Sequence, residues 1–367
     1  MNRMKTRITI LLLLVAFTLS AQQKNAFYIG HSLSDQIPDM VKSLSDDMFA
    51  VDFDWAYQSI PGAPLRWQWD RKINKDYNEN PPYYYAFYSE EGGLPTGDYN
   101  VLVLTESVPR YWSIIDDTYQ YADSLVAYAL NHNPNIQIYL YEDWHCIKSG
   151  TPTGCDYDID ASPWRQRLDD DLAMWESVVD TLNNRFNPIN PICMIPAGQG
   201  LARLYDAIEE GTVPGISSIE DIFSDDIHLT DVGKYFVACV HFAMIHNTSP
   251  VGLTNQTQVW WGGDFEPPTA AQAKIFQEIA WETVNSYERS CLNTSISTVE
   301  NIEVTEDISY NTLTNLLTIS NTKEETAIYN LYGKLVLVST IGYIDLSNLP
   351  KGIYFIRNGD RINKVIR

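Results

Sequence analysis

Ala26-Phe27-Tyr28-Ile29-Gly30-His31-Ser32-Leu33-Ser34 is the stretch whose reading decides the fold. Its apolar run closed by a glycine reads as a short buried strand. Gly30 permits a tight turn, and Pro38 to Met48 then shows helical spacing through Met40, Val41, Leu44 and Met48. The alternation continues outward. Val51 to Tyr57 alternates like a strand, Val101 to Leu104 is a run suited to a strand buried on both faces, and Tyr119 to Leu130 is helical. Ile136 to Tyr141 and Ile192 to Ile195 read as strands, and Leu168 to Phe186 and Val232 to Ile245 as helices. Such alternation predicts a parallel sheet covered on both sides, a three-layer α/β/α sandwich with right-handed crossovers. Ligand sites in such sheets lie at the carboxyl ends of the strands.

The chemistry-bearing residues fall at those ends. Ser32 follows the first strand, where a helix N-terminus supplies backbone N–H groups for an oxyanion. A serine needs a base beside it to become a nucleophile. Far downstream, Asp225-Asp226-Ile227-His228 precedes the last helix, for which Thr230 or Asp231 is the N-cap. Its DxxH spacing lets one loop present both a base, His228, and the carboxylate that orients it, Asp225, with Asp226 as the alternative orienter. Ser34 is the rival serine in the first loop. A metal would need further ligands beside DxxH, and none stands out, so neither metal nor cofactor is expected.

A strand followed by Gly-x-Ser-Leu, a glycine in the loop after the second strand, and DxxH near the domain end together resemble the SGNH (GDSL-like) hydrolase superfamily. The resemblance covers about residues 26–248. It implies a flavodoxin-like sandwich and a serine esterase with Ser32, His228 and Asp225 as its triad. Gly62, in Ser59-Ile60-Pro61-Gly62-Ala63, matches the family's glycine block, so the implied oxyanion hole takes the N–H groups of Ser32 and Gly62. The asparagine block departs from the family pattern: Thr105-Glu106-Ser107 stands there, so Ser107 or Thr105 supplies the third donor, or the hole has two. Position suggests further substrate contacts. Arg66 and Trp67 follow Gly62; Glu106 and Trp144 stand at strand ends; Gln199 lies in Gly198-Gln199-Gly200 at the end of another strand. His145 reads as structural.

Lys+Arg total 25 against 47 acidic residues, a net charge of −22, which repels nucleic acid and anionic membranes. Arg3, Lys5 and Arg7 before an apolar run from Ile8 to Leu19, then Ser20-Ala21, read as a signal peptide over 1–21. No later stretch is long and apolar enough for a transmembrane helix. Export permits disulfides. Of five cysteines, Cys146 and Cys155 lie close in one loop and are the expected bridge; Cys193 and Cys239 read as buried free thiols, with Cys291 left over. A Tyr/Pro/Gly-rich insertion from Asp70 to Tyr99 is expected to form an ordered flap near the site. Ser249 to Thr269, holding Trp260-Trp261-Gly262-Gly263, is irregular, and Ala270 to Tyr287 is helical.

The expected domains are a catalytic one over 22–291, a linker over 292–301 and a small β-sandwich over 302–367. In the last, Tyr329-Asn330-Leu331-Tyr332-Gly333-Lys334, Leu346 to Phe355 and the basic end Arg361, Lys364 and Arg367 resemble the sorting domain of type IX secretion substrates. The resemblance implies a Gram-negative bacterium whose type IX machinery frees the protein or attaches it to the cell surface. Export, aromatic loops and the absence of a lipid-binding helix favour an O-acylated, most simply acetylated, polysaccharide or oligosaccharide as substrate. The alternatives are an esterase or lipase acting on longer acyl or lipid esters, and a non-catalytic glycan-binding protein on the same fold.

Overall fold

The computed structural model describes residues 22–48, 51–70, 92–148, 155 and 157–292, and in the C-terminal part 308–311, 316–319, 326–330, 335–340, 342–347, 349, 353–358 and 361–366. The expected signal peptide, most of the aromatic insertion and nearly all of the linker lie outside these residues. The chain divides into two compact units, 1–295 and 296–367.

The first unit is built on five strands: β1 (Gln22–Gly30), β2 (Val51–Ser59), β3 (Val101–Leu104), β4 (Gln137–Glu142) and β5 (Cys193–Pro196). They pair in the order β2-β1-β3-β4-β5, parallel throughout. Among the described residues, seven helices flank them: α1 (Ile37–Asp46), α2 (Leu65–Gln68), α3 (Ile115–His132), α4 (Trp164–Phe186), α5 (Ala197–Glu209), α6 (Asp231–His246) and α7 (Ala270–Ser286). The sandwich is the three-layer one expected. Side chains alternate across the strands. Ala26, Tyr28, Val101, Val103, Tyr139 and Tyr141 enter the core shared with α1, α5, α6 and α7. Phe27, Ile29, Leu102, Leu104, Ile138 and Leu140 enter the core shared with α3 and α4. Helix α6 is buried almost along its whole length, because α1 lies beside it and α7 packs against it.

Two expectations are corrected here. Gly198-Gln199-Gly200 does not trail off the strand but opens α5. Two glycines in one helical turn argue against a helix on propensity, yet packing requires them: a Cβ on Gly198 would lie 2.9 Å from Asp143 O, and one on Gly200 would lie 3.2 Å from Phe236. Cys193 is not a free thiol. It is bonded to Cys291, 98 residues away in sequence, because the segment after α7 returns along β5. Cys146 is joined to Cys155, and Cys239 is buried and free.

The second unit is antiparallel. Strands β6 (Ile308–Asn311), β7 (Leu316–Ile319) and β10 (Tyr343–Asp345) form one sheet; β8 (Thr326–Asn330), β9 (Leu335–Ser339), β11 (Ile353–Asn358) and β12 (Arg361–Ile366) form the other. Leu317, Ile319 and Ile344 of the first share a core with Ile328, Tyr354 and Ile356 of the second, which makes a small sandwich.

Candidate active site

The strand order 2-1-3-4-5 reverses direction between β1 and β3, and ligands bind outside the carboxyl ends of strands at such a switch point. Ser32 sits there, two residues beyond β1, opening a short 3-10 turn over Ser32–Ser34. Gly30 is needed for space rather than for dihedral freedom. A Cβ on it would lie 2.6 Å from Ser34 Oγ and 2.9 Å from Thr105 Cγ2. Ser34 Oγ donates to His31 O at 2.7 Å.

The DxxH loop reaches the same place from the other side. His228 Nε2 is 2.9 Å from Ser32 Oγ, and His228 Nδ1 is 2.7 Å from Asp225 Oδ2. Asp225 Oδ1 accepts the backbone N–H groups of Ile227 at 2.9 Å and His228 at 2.7 Å. Burial pushes this carboxyl up, but those two N–H donors and the imidazole outweigh it and hold Asp225 below its ordinary value. The carboxylate that bonds the imidazole is Asp225; Asp226 contributes its carbonyl, which accepts Ile147 N–H at 2.7 Å. The loop is further pinned by Trp144 Nε1, donating to Ile227 O at 2.7 Å, and by Ser224, whose N–H and Oγ both donate to His228 O. Thr230 caps α6, its Oγ1 accepting Gly233 N–H at 3.3 Å.

Ser32, His228 and Trp144 line one open cleft of about 360 Å³. The serine, imidazole and carboxylate form one hydrogen-bonded chain, the arrangement that lets a hydroxyl surrender its proton as it attacks. Behind Ser32, buried His31 bonds Asp143 Oδ2 at 3.2 Å and Glu106 O at 3.1 Å through Nε2, while its Nδ1 accepts Leu33 N–H at 3.4 Å. Burial works against the charged imidazole, yet the hydrogen bond and charge of Asp143 raise His31 above its ordinary value.

Gly62 stands in a turn closed by Ala63 N–H donating to Ile60 O at 3.0 Å, with φ of 65°. Glu106 does not face the cleft. Its Oε1 accepts Leu65 N–H at 3.1 Å and Ser107 N–H at 2.8 Å, and its Oε2 accepts Thr118 Oγ1 at 2.9 Å and pairs with Arg110 at 3.2 Å. Buried donors draw the carboxylate inward, so it braces the Gly62 loop instead of reaching for substrate. Ser107 is drawn the same way, its Oγ also donating to Glu106 at 3.3 Å, which leaves neither of its donors turned to an oxyanion. Thr105 Oγ1 donates to Tyr141 O at 2.9 Å.

Gln199 is likewise taken inward: its Nε2 donates to Glu142 Oε1 at 3.0 Å and Leu168 O at 2.8 Å. Glu142, the last residue of β4, is buried against the start of α5, and desolvation pushes its carboxyl up to about 8. Arg66 is exposed and pairs with Asp117 at 3.6 Å, and neither it nor Trp67 lines the cleft. His145 is buried and bonds Asp171 at 2.7 Å. Trp144 lines the cleft but spends its indole N–H on the DxxH loop.

The rest of the cleft lining was not legible in the sequence: Asp35, Asp39, Trp55, Lys234, Trp260 and Trp261 line it as well. The one sequence signal for it is Trp260-Trp261 ahead of two glycines in an irregular stretch, together with Trp55 and Tyr57 on one side of a strand. Among the described residues, no group of three or more His, Cys, Asp or Glu stands where it could hold a metal, and no helix is long and apolar enough to cross a membrane.

Residues 299–367 match the family model described as a secretion system C-terminal sorting domain. The C-terminal unit is a type IX sorting domain. The sorting domain thus accounts for the small sandwich and its basic last strand. No curated protein matches the chain. Among solved structures, a DUF4886 family protein from Bacteroides uniformis is similar at 15% identity and a TM-score of 0.50, over 72% of this chain and 95% of that one. A candidate GDSL-like lipase from Parabacteroides merdae is similar at 14% identity and a TM-score of 0.38, over 61% and 95%. An acetyl xylan esterase from the rumen bacterium Butyrivibrio proteoclasticus follows at 9% identity and a TM-score of 0.26, over 51% and 64%. The first of these likenesses speaks to fold alone.

Proposed function

We propose that the first unit is a serine esterase of the SGNH type that removes O-acyl groups, most simply acetyl, from a polysaccharide or oligosaccharide. The observation that carries this reading is the continuous chain from Ser32 Oγ through His228 to Asp225, open to a cleft at the switch point of the sheet. In this reaction Ser32 Oγ attacks the ester carbonyl carbon and passes its proton to His228 Nε2. The oxyanion rests on the N–H groups of Ser32 and Gly62. Collapse breaks the bond to the sugar oxygen, which leaves with the proton from His228. Water, deprotonated by the same imidazole, then attacks the acyl-enzyme and releases the acid, restoring Ser32. Asp225 holds the imidazole in the required tautomer. The sorting domain, with a leader over 1–21, directs the protein outward, to the medium or the cell surface, through the type IX machinery. The domain limits that go with this reading are a catalytic unit over 22–291, a linker over 292–301 and the sorting domain.

The test is release of p-nitrophenol from p-nitrophenyl acetate, and of acetate from acetylated xylan, by the full chain and its Ser32→Ala variant. Activity that vanishes in the variant supports the reading. A parent chain that hydrolyses neither these esters nor longer acyl esters would sink it in favour of a glycan-binding role.

A further inference from the structure

The cleft that holds Ser32 and His228 is also lined by two exposed tryptophans. Trp260 and Trp261 are each 63% exposed, with ring centroids 5.4 Å apart and planes near perpendicular. Rings this exposed on an acidic, exported chain ask for a reason. Their loop is firmly held. Asp39, Ser43 and Asp47 stand at four-residue intervals from α1 to its C-cap, along one face. Each accepts a backbone N–H of the loop, in antiparallel order: Trp260 to Asp39 Oδ1 at 2.7 Å, Gln258 to Ser43 Oγ at 3.0 Å, and Thr254 to Asp47 Oδ2 at 2.7 Å. The return limb is tied as well, with Glu266 N–H donating to Asp231 Oδ2 at 3.0 Å and Gln258 bridging Asp264. The turn between them uses Gly262 and Gly263 at φ of 96° and 114°, values that disfavour any side chain.

The groups beside these rings are polar. Asp35 and Asp39 line the cleft, and so do Lys234 and Gln36, with Lys234 Nζ donating to Gln36 Oε1 at 2.6 Å. Trp55 and Tyr57, with centroids 5.4 Å apart, add a second aromatic pair. Flat rings interleaved with carboxylates match one ligand chemistry: a pyranose, whose C–H face packs on an indole while its hydroxyls donate to carboxylate oxygens. Two carboxylates against one amine already engaged by an amide disfavour an anionic sugar.

We propose that Trp260 and Trp261, with Asp35 and Asp39, form the subsite that holds a neutral pyranose unit of the glycan while its acyl group lies at Ser32. This deepens the esterase reading and rests on it for what the sugar carries, but it can be tested apart from catalysis. The experiment titrates the full-chain Ser32→Ala protein with acetylated xylo-, manno- and gluco-oligosaccharides by calorimetry, and repeats the titration with Trp261→Ala and Trp260→Ala/Trp261→Ala added. At least one oligosaccharide should bind. Loss of one ring should weaken it about tenfold, Trp261→Phe should recover most of the affinity, and an acidic oligogalacturonide should bind at least tenfold more weakly than the neutral ligand.

The proposal is overturned if no oligosaccharide binds, if the double variant binds as well as its parent, or if the rings bind phosphatidylcholine vesicles in preference to sugar. A parent chain that hydrolyses neither p-nitrophenyl acetate, acetylated xylan nor longer acyl esters, with intact, tryptophan-dependent sugar binding, would remove the esterase reading and leave the subsite. Active ester cleavage with tryptophan-independent binding would do the reverse.

Discussion

The two walls of the cleft are built in opposite ways. The catalytic wall comes from two short pieces of chain, Gly30 to Ser32 and Asp225 to His228, each stiffened by backbone hydrogen bonds within a few residues. The rest of the lining, the proposed recognition wall, takes Trp55 from β2, Asp39 from α1, Lys234 from α6 and Trp260 and Trp261 from a distant loop. Proton transfer tolerates little error in distance, so on the proposed esterase reading its groups belong on short, self-braced motifs such as these. Recognition tolerates more and is assembled from whatever side chains the fold brings together.

The sharpest way to break the catalytic wall is Ser32→Ala. On the esterase reading it lowers kcat by at least about 10⁴-fold, while thermal unfolding stays close to the parent's because Ser32 is only partly buried. Equal activity in the variant would move attention to Ser34.

The next largest effect tests whether the catalytic wall is as local as it looks. Glu106 lies outside both motifs, yet it holds Leu65 N–H and so the Gly62 turn, and it neutralises Arg110 in a buried setting. Glu106→Ala should cost about 3–5 kcal/mol of stability by leaving that guanidinium unpaired, read by chemical denaturation. A cost near zero would show the brace to be dispensable. Asp225→Asn comes third. It keeps the shape of the loop but loses the charge that orients His228, and kcat should fall by about 10²–10³-fold. The upper end of the range known for such changes is not expected, because Asp225 is more than half exposed and water can partly replace it.

The same contrast explains what could be read from the chain alone. The sheet was legible because its strands are apolar runs and its helices carry regular apolar spacing, signals contained in a few residues each. DxxH was legible because the base and its orienter share one loop. The directions of Glu106, Ser107 and Gln199 were not. Each stands near a strand end, hence near the site, but buried donors and acceptors on α2, α3 and β4 decide which way the side chain turns. Helix α5 was hidden because its glycines answer to Asp143 and Phe236, which are far away in sequence. Cys193 and Cys291 were separated for the same reason: nothing local to either names the other.

On the recognition wall the expected effects are smaller and fall on KM. Asp39 is the acceptor that anchors Trp260 N–H. Asn at this position keeps a carbonyl oxygen for that bond and Ala does not. Asp39→Ala should therefore raise KM for an acetylated oligosaccharide several-fold, roughly the weight of one hydrogen bond, with Asp39→Asn falling between it and the parent. Identical KM values for the two variants would mean that the anchor does not position the ring.

The smallest effect is a pH dependence, and its sign follows from Asp39. Burial, offset in part by the Trp260 N–H and reinforced by the Asp35 charge, pushes this carboxyl up to about 6 from an ordinary 3.8. Folding therefore favours its protonated form, and its contribution to stability is present at low pH and lost as pH rises through 6. The anchor runs the other way. Above pH 6 the ionised carboxylate accepts the Trp260 N–H as a charge-assisted bond, and below it a neutral acid accepts the same bond more weakly. Burial also pushes the Asp35 carboxyl up, so the variant is the control that isolates Asp39. KM for the oligosaccharide should rise about two- to threefold between pH 7 and pH 5 in the parent, and the rise should be largely absent in Asp39→Asn. A slope that survives in Asp39→Asn would show that Asp39 is not the group responsible and that its bond to Trp260 does not set the pH dependence.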